Sequence, residues 1–546
     1  MSEGEKNKNN GGLTRRSFLK YSGMGLGALT FASSAYLSGY SANENHLALW
    51  QSQAPNTFLG YYSLGDYARY HNDLIFQRPF YIDPQGNFVP HLAEKLTISD
   101  DKKTYTYKLF DNAKWHDGVP VTANDLKFTI ETLAHPKYDG SDASDILPIK
   151  GAKDYNEGKA DSISGVKVLN NKTISLTLDE VFAPFREICD IWTLPEHLLG
   201  DIPVEELGKS EFSRKPVGCG PFKFEEYKRG QYYELVRNDD YHLGKPELER
   251  ITVQILDPEV AVAHLETGQV DASFNYKVAQ LPPASIERLQ NKPNVQINIF
   301  DTDQFQFIIL NHKKTIMKDQ KFRQALSYAI DRDSIVKSVL RGYGSPAKSP
   351  LRPGNPYHNP NAKSYPHDPQ KARELLKEVD WENNKRKLIY ATPKDEKRRT
   401  IAAIVQQNLK NVGVDTAVQV YDFATLMDKG NEGELDLWNL GWGSGGVQHP
   451  HYTMYQTLHS SEWPPRWNFG WYKNEQVDKL LDEGVRTVDR EKSIEIYHKA
   501  QEVIAEDLPY LYLVNEKGLS GQRARVKNFN DNIHSANYNA HEWDVE

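Results

Sequence analysis

The sequence predicts a mixed α/β protein of two or three domains. Three observations predict it: the length, the alternation of strand-type and helix-type runs along the chain, and a second mixed region that opens near residue 305 after a first has closed. The chain has 546 residues. Less a leader of roughly forty, it is too long for one hydrophobic core and should divide. A formal charge of -8, from 66 basic and 74 acidic residues, is mild and mixed. It gives no electrostatic reason for a nucleic-acid partner or an anionic membrane surface.

The leader is read first because it fixes the compartment. Thr14-Arg15-Arg16-Ser17-Phe18-Leu19-Lys20 follows a polar segment and precedes an apolar, Gly/Ala-rich stretch over 24–37, the pattern of a twin-arginine signal peptide over residues 1–41. Such an address is read by the twin-arginine translocase, which exports cargo already folded. The stretch is too short and too Gly-rich for a membrane span, and nothing later approaches the ~20 apolar residues a span needs. No cysteine follows it closely, so the expectation is a protein free of a lipid anchor. Cys189 and Cys219 are the two cysteines. In an oxidising compartment they either pair or stay as buried thiols.

Residues 47–50 read as a strand that runs into a Pro- and Gly-containing loop over 51–65. Asp83-Pro84-Gln85-Gly86 is a turn, and Tyr105, Tyr107 and Leu109 share one strand face by period two. Thr122 and Asp125 form a capping box before apolar residues at helical spacing. Two alternating runs, 166–168 and 174–178, join across Asn170-Asn171 as a hairpin. Strands follow at 222–227, 232–237 and 251–256, then a helix over 259–267 that closes on Gly268. In the second region, 305–311 is an apolar run fit for a strand buried on both faces. Helices are expected around 322–329, 335–340, 373–379, 401–411, 477–481 and 494–504, with strands at 388–391 and 510–514. Aromatic residues make up 11% of the chain, and Trp438, Trp442, Trp463, Trp467 and Trp471 crowd one Gly-, Pro- and His-rich stretch. Exposed indoles in such clusters meet flat or amphipathic ligands; buried ones fill gaps between loops.

The ordered blocks Asp83 to Glu94, Lys103 to Leu109, Trp115-His116-Asp117-Gly118, Gly218-Cys219-Gly220-Pro221-Phe222, Arg237 to Tyr241, Phe322 to Arg332 and Gly441-Trp442 resemble the family 5 extracytoplasmic solute-binding proteins. These are the receptors of dipeptide, oligopeptide and nickel ABC importers. The resemblance implies a two-lobed periplasmic binding protein fold (type II, cluster C) with an extra subdomain in the first lobe. Lobe I would comprise 42–80, 207–301 and 510–546, the extra subdomain 81–206, and lobe II 302–509. It implies a periplasmic receptor, not an enzyme, that closes on a small ligand and hands it to a membrane ABC permease, with no cofactor.

Carried over residue by residue, the resemblance puts Tyr62, Ser63 and Gly65 in the loop after the first strand, and Phe423, Asn439, Gly441, Trp442 and Gly443 in the far lobe, at the ligand. No catalytic or metal-ligating residue is expected. Peptide-binding relatives carry an aspartate a few residues after Gly-Trp. This chain reads Gly441-Trp442-Gly443-Ser444-Gly445-Gly446-Val447-Gln448, without a carboxylate, and positions matching arginines of some oligopeptide binders are Gly430 and Asn439. A peptide-class ligand leads. A neutral oligosaccharide or glycoside is the alternative, favoured by the tryptophans and by Asn439, Ser444 and Gln448, which bond hydroxyls without burying charge.

A secreted glycoside hydrolase is a remote alternative, since the Gly-rich segment offers no carboxylate pair. His449-Pro450-His451, with His459, reads as a solvated turn before a metal site. The basic run 394–399 reads as a solvated face, with a permease or a ligand anion as the other possible contacts.

Overall fold

The computed structural model describes residues 45–63, 67, 69–189, 191–529, 531–534 and 537–546. The export-signal reading and Gly65 lie outside the described residues. Among the described residues no helix is long and apolar enough to cross a membrane.

One mixed sheet of eleven strands runs through the molecule. On one side, His46–Gln51 lies parallel to Arg250–Ile255 and Ala272–Ser273, and Tyr232–Arg237 and Phe222–Lys228 continue antiparallel to the edge. On the other side, Leu388–Pro393 lies parallel to Thr416–Tyr421 and Leu437–Trp442, joined through the helices Glu396–Asn411 and Phe423–Glu432. Two long antiparallel strands, Val295–Leu310 and Tyr510–Arg523, link the halves. Both outrun the sequence reading, which saw only the apolar ends at 305–311 and 510–514. Residues 296–304 mix Gln, Asn and Asp with apolar side chains and give no apolar run.

These crossing strands change cores along their length. Val295 and Leu519 belong to a core that gathers Leu47, Trp50, Trp115, Phe222 and Trp543. Beyond the crossing, Ile308 and Leu513 join one core and Phe305, Phe307 and Tyr512 another. At the changeover the ladder breaks between Asp301 and Phe305. The Thr302 hydroxyl caps the carbonyl of Glu516 at 2.7 Å, and Asp303 turns out of the sheet. A β-bulge at such a place re-aims a side chain.

A four-stranded sheet, Ala93–Ile98, Thr104–Leu109, Thr173–Thr177 and Val166–Asn170, packs Tyr105, Tyr107 and Leu109 into the first core as their spacing predicts. The helix Ala123–Leu133 carries the capping box of Thr122 and Asp125. Asp73 ties this region to its neighbours: one carboxylate oxygen accepts from Trp192 Nε1 at 2.7 Å, the Tyr81 hydroxyl at 2.9 Å and Arg78 Nε at 3.1 Å. Cys189 and Cys219 are both buried and form no disulfide.

Several of the sequence blocks prove to be structural joints. His116 donates its main-chain N–H to the Gly218 carbonyl at 2.7 Å. Its Nδ1 accepts from the Gly218 amide at 3.1 Å, and its Nε2 lies 3.0 Å from the Gly220 carbonyl. A Cβ on Gly218 would sit 1.8 Å from the Ile75 carbonyl oxygen, so the joint requires glycine. Arg323 donates to the carbonyls of Met317, Asp507 and Leu508, and Arg332 to those of Ser327 and Tyr512. Five planar donors per guanidinium suit this role.

Candidate functional site

In open α/β sheets, ligands meet the crevice beyond the carboxyl ends of the parallel strands. Here the loops leaving those ends in both halves converge on the bulge. Tyr276, just after Ala272–Ser273, donates its hydroxyl to Asp303 Oδ1 at 3.3 Å. From the other half, after Leu437–Trp442, the Ser444 hydroxyl and the Gly446 amide donate to Asp303 Oδ2 at 2.8 and 2.9 Å. His534 Nδ1 lies 2.8 Å from the Gly446 carbonyl. Burial alone would lift the Asp303 carboxyl. The Lys277 charge, with the bonds from Gly446, Ser444 and Gln304, more than offsets this and holds it below the usual range. Asp531, also buried, is pushed up to about 8 by desolvation despite Ser520, nearby amides and Lys277.

A second charged knot lies one strand over. Lys397 places its ammonium 2.9 and 2.8 Å from the two carboxylate oxygens of Glu516. Gln306 Nε2 donates to Glu516 at 2.7 Å, and Arg398 Nε donates to Gln306 Oε1 at 3.0 Å. Burial opposes the Glu516 charge, but Lys397, Gln306 and Arg398 outweigh it and keep its pKa low. The basic run is therefore only in part a solvated face: Lys394 and Arg399 are exposed, and Lys397 and Arg398 are half-buried. The helix starts at Glu396, capped by Asp395, which accepts from the Arg398 amide, and this turns Lys397 and Arg398 toward the crossing strands.

Four of the predicted residues share this neighbourhood. Asn439 is buried in mid-strand opposite Ile308; its Nδ2 donates to the Arg398 carbonyl at 3.3 Å. Its Oδ1 accepts nothing among the described residues. A Cβ on Gly441 would come within 2.6 Å of Arg398 and Gln306, and one on Gly443 within 2.2 Å of Gln304, so both glycines admit the charged network. Trp442 is half-buried, donates Nε1 to the Tyr452 carbonyl at 2.9 Å and packs against Trp467 and Phe469 at 5.4 and 6.0 Å between ring centroids. Phe423 opens the helix Phe423–Glu432, 62% exposed.

Tyr62 and Ser63 have their hydroxyls bonded to the Val204 carbonyl at 2.9 Å and to Asn56 Oδ1 at 3.0 Å.

The tryptophan stretch divides. Trp438 is core, Trp467 stands over Trp442 at 44% exposure, and Trp463 and Trp471 line an outer depression of about 440 Å³ with Lys313 3.8 Å above the Trp471 ring. That depression and an open one of about 770 Å³ beside the helix Glu475–Arg486 include none of the predicted residues. His449 is buried and His451 half-buried, so the pair is no solvated turn; desolvation brings their pKa values down to about 3 and about 4. Among the described residues no group of three ligating side chains suits a metal ion.

Comparison with known proteins fits this geometry. The model of the bacterial extracellular solute-binding proteins, family 5, matches residues 87–465. The chain belongs to that family. Family 5 relatives include the oligopeptide-binding protein AppA of Bacillus subtilis, 28% identical over 507 residues, covering 90% of this chain and 89% of AppA. The glutathione-binding protein GsiB of Escherichia coli K12 is 28% identical over 464 residues, 83% of this chain and 86% of GsiB.

Among solved structures, AppA in complex with a nonapeptide superposes with a TM-score of 0.77 at 26% identity, over 92% of this chain and 99% of AppA. NikZ of Campylobacter jejuni in complex with Ni(L-His) gives the same score, identity and coverage. The fold is thus that of the type II periplasmic peptide-binding proteins, and this family 5 member is an extracytoplasmic binding receptor, not an enzyme.

Proposed function

We propose that the chain is the periplasmic receptor of an ABC importer. On this reading it is exported folded by the twin-arginine route, captures a peptide-class ligand between lobe I (42–80, 207–301, 510–546, with 81–206 as its extra subdomain) and lobe II (302–509), and delivers it to the membrane permease. One observation carries the ligand class: the strand ends of both halves meet at a site holding charge of both signs. Asp303 and Glu516 supply negative charge and Lys277, Lys397 and Arg398 positive charge, beside the aromatic wall of Trp442 and Trp467.

A zwitterionic ligand with apolar side chains can engage charge of both signs and the aromatic wall together; a neutral sugar would make use of neither sign of charge. The ligands named for AppA and GsiB agree with this class. Asp303, reaching in from the neighbouring strand, supplies a carboxylate where the segment after Gly441-Trp442 has none. Gly441, Trp442, Gly443, Asn439 and Phe423 form the far-lobe wall in this proposal, with Tyr62, Ser63 and Gly65 in the facing loop.

Thermal-shift titration with mixed peptides of two to nine residues, against neutral oligosaccharides, tests the reading. A peptide at a hundredfold its Kd should stabilise the fold by about 2.7 kcal/mol, and Trp442→Ala should abolish the shift while the unliganded transition stays cooperative. Stabilisation by oligosaccharides alone would overturn it in favour of a sugar receptor.

A further inference from the structure

The segment 443–452 is tied to both halves of the molecule, and its ties across the boundary end on two carboxylates. Glu187 lies on the short helix Phe185–Ile188, whose Phe185 and Ile188 are buried and whose Phe185 is part of the first core. Its Oε2 accepts two successive main-chain amides, Gln448 at 2.9 Å and His449 at 3.2 Å. Four residues on, the Tyr452 hydroxyl donates to Asp145 Oδ2 at 3.0 Å. Asp145 sits on Ala143–Ile146, whose Ile146 is in the same first core.

The flanks follow: Phe182 meets His451 edge-on at 5.2 Å, and the Ala183 amide donates to the Val485 carbonyl at 2.7 Å. Within its own half the segment is tied by the Ser444 hydroxyl and the Gly446 amide on Asp303, the Asn355 side-chain amide on the Gln448 carbonyl at 3.1 Å, Arg490 on the Gln448 side chain at 3.3 Å, Trp442 Nε1 on the Tyr452 carbonyl at 2.9 Å, and the rings of Tyr357 and Tyr497 against His449. Gly445 and Gly446 are both left-handed, at φ 70° and 91°. Both conformations favour glycine, and a Cβ on Gly446 would come within 2.6 Å of the Ile533 carbonyl oxygen.

We propose that residues 443–452 form a clasp across the cleft, and that Glu187 and Asp145 are positioning residues that hold it shut without touching the ligand. Because the arm begins at Trp442, the clasp sets where that indole and the Gly-rich turn stand relative to the opposite lobe. Part of the free energy of closure then comes from the protein's own groups, and the ligand needs to supply only the remainder. Buried carboxylate acceptors and amide donors are costly to leave unmade, so opening releases the arm as a unit.

The inference rests on the two-lobe capture reading, and hydrogen exchange on the full chain without ligand tests the clasp separately. Glu187→Ala should speed exchange across 443–452 by about tenfold, the equivalent of one charged hydrogen-bonding group. Glu187→Gln, which keeps an acceptor, should restore most of the protection, and Tyr452→Phe should give a rise of a few fold. Exchange in Thr104–Leu109 and Glu396–Asn411 should not change.

Unchanged exchange of the segment in all three variants would overturn the clasp. So would a rise spread over both halves, which would make Glu187 a support of the fold. A protein that binds no peptide yet shows the localised acceleration keeps the clasp and loses only the ligand class.

Discussion

Glu516 and Asp303 on the crossing strands and Glu187 and Asp145 at the clasp are all carboxylates withdrawn from water, yet they face different neighbours. Lys397 stands on Glu516 and the charge of Lys277 acts on Asp303, and both carboxyls stay below their ordinary range although burial opposes it. Burial dominates at Glu187 and lifts it, in spite of two amides and the more distant Arg490 and Arg186. At Asp145 burial, aided by Asp142, pushes the carboxyl up to about 8 against Tyr452, Arg69 and Ser144. Arg69 spends its guanidinium on Asp142, at 2.8 and 3.3 Å. The difference teaches which contacts should persist and which should release: the first pair keeps its countercharges, while the second is held by hydrogen bonds at a desolvation cost.

The sharpest break in that comparison comes from Glu516→Ala. Removing one partner of a buried network leaves Lys397 and Gln306 without their acceptor and should cost about 3–5 kcal/mol, read as a shifted denaturation midpoint. A loss no larger than that of a clasp variant would erase the distinction.

Acidity should act on the two regions in opposite senses. With Asp145 raised in the closed form, closure takes up a proton between the ordinary carboxylate range and about pH 8. The clasp is therefore favoured toward the acid end of that window and weakens as pH climbs through it, by at most about tenfold per pH unit for one proton. Glu516 and Asp303 are depressed, so their contribution is present above the ordinary carboxylate pKa and falls as acid protonates them. Intrinsic-rate-corrected hydrogen exchange of 443–452 from pH 5 to 8 checks the first sign, and acid denaturation of Glu516→Gln against the parent checks the second.

A smaller effect is expected from Tyr452→Phe, which removes one hydrogen bond to Asp145 and should weaken closure by about 0.5–1.5 kcal/mol, seen as faster ligand release. The smallest belongs to Arg486 and Glu180, which bridge the same boundary at 2.9 Å with both side chains more than half exposed. Arg486→Ala should change closure by about 0–1 kcal/mol and any effect should vanish in high salt. A large effect there would relocate the clasp to the surface.

Much of the fold was legible because it is encoded locally. The capping box at Thr122, the hairpin across Asn170-Asn171 and the stop at Gly268 need only neighbours in sequence. The family blocks were legible too, and within them His116, Arg323 and Arg332 serve as joints. The motif put Asn439, Gly441, Trp442 and Gly443 together, and they stand on one strand and the turn after it.

What escaped are the charged partners. Glu187 reaches amides 261 residues away and Asp303 a serine 141 residues away, separations over which no periodic pattern carries information. Lys397 and Arg398 looked like a solvated run because nothing near them in sequence shows Glu516 or Gln306. The histidines of residues 449–451 looked solvated because the ring of Tyr497 packed against His449 and the ring of Phe182 packed against His451 come from distant segments.

The central claim is that charge of both signs at the meeting of the two halves selects a peptide-class ligand. Mass spectrometry of the small molecules released on denaturing protein purified from its own compartment tests it most directly. The account predicts masses and fragment ions of short peptides, recovered from the parent protein and absent from Trp442→Ala. Recovery of carbohydrate from the parent, with no peptide, would contradict it.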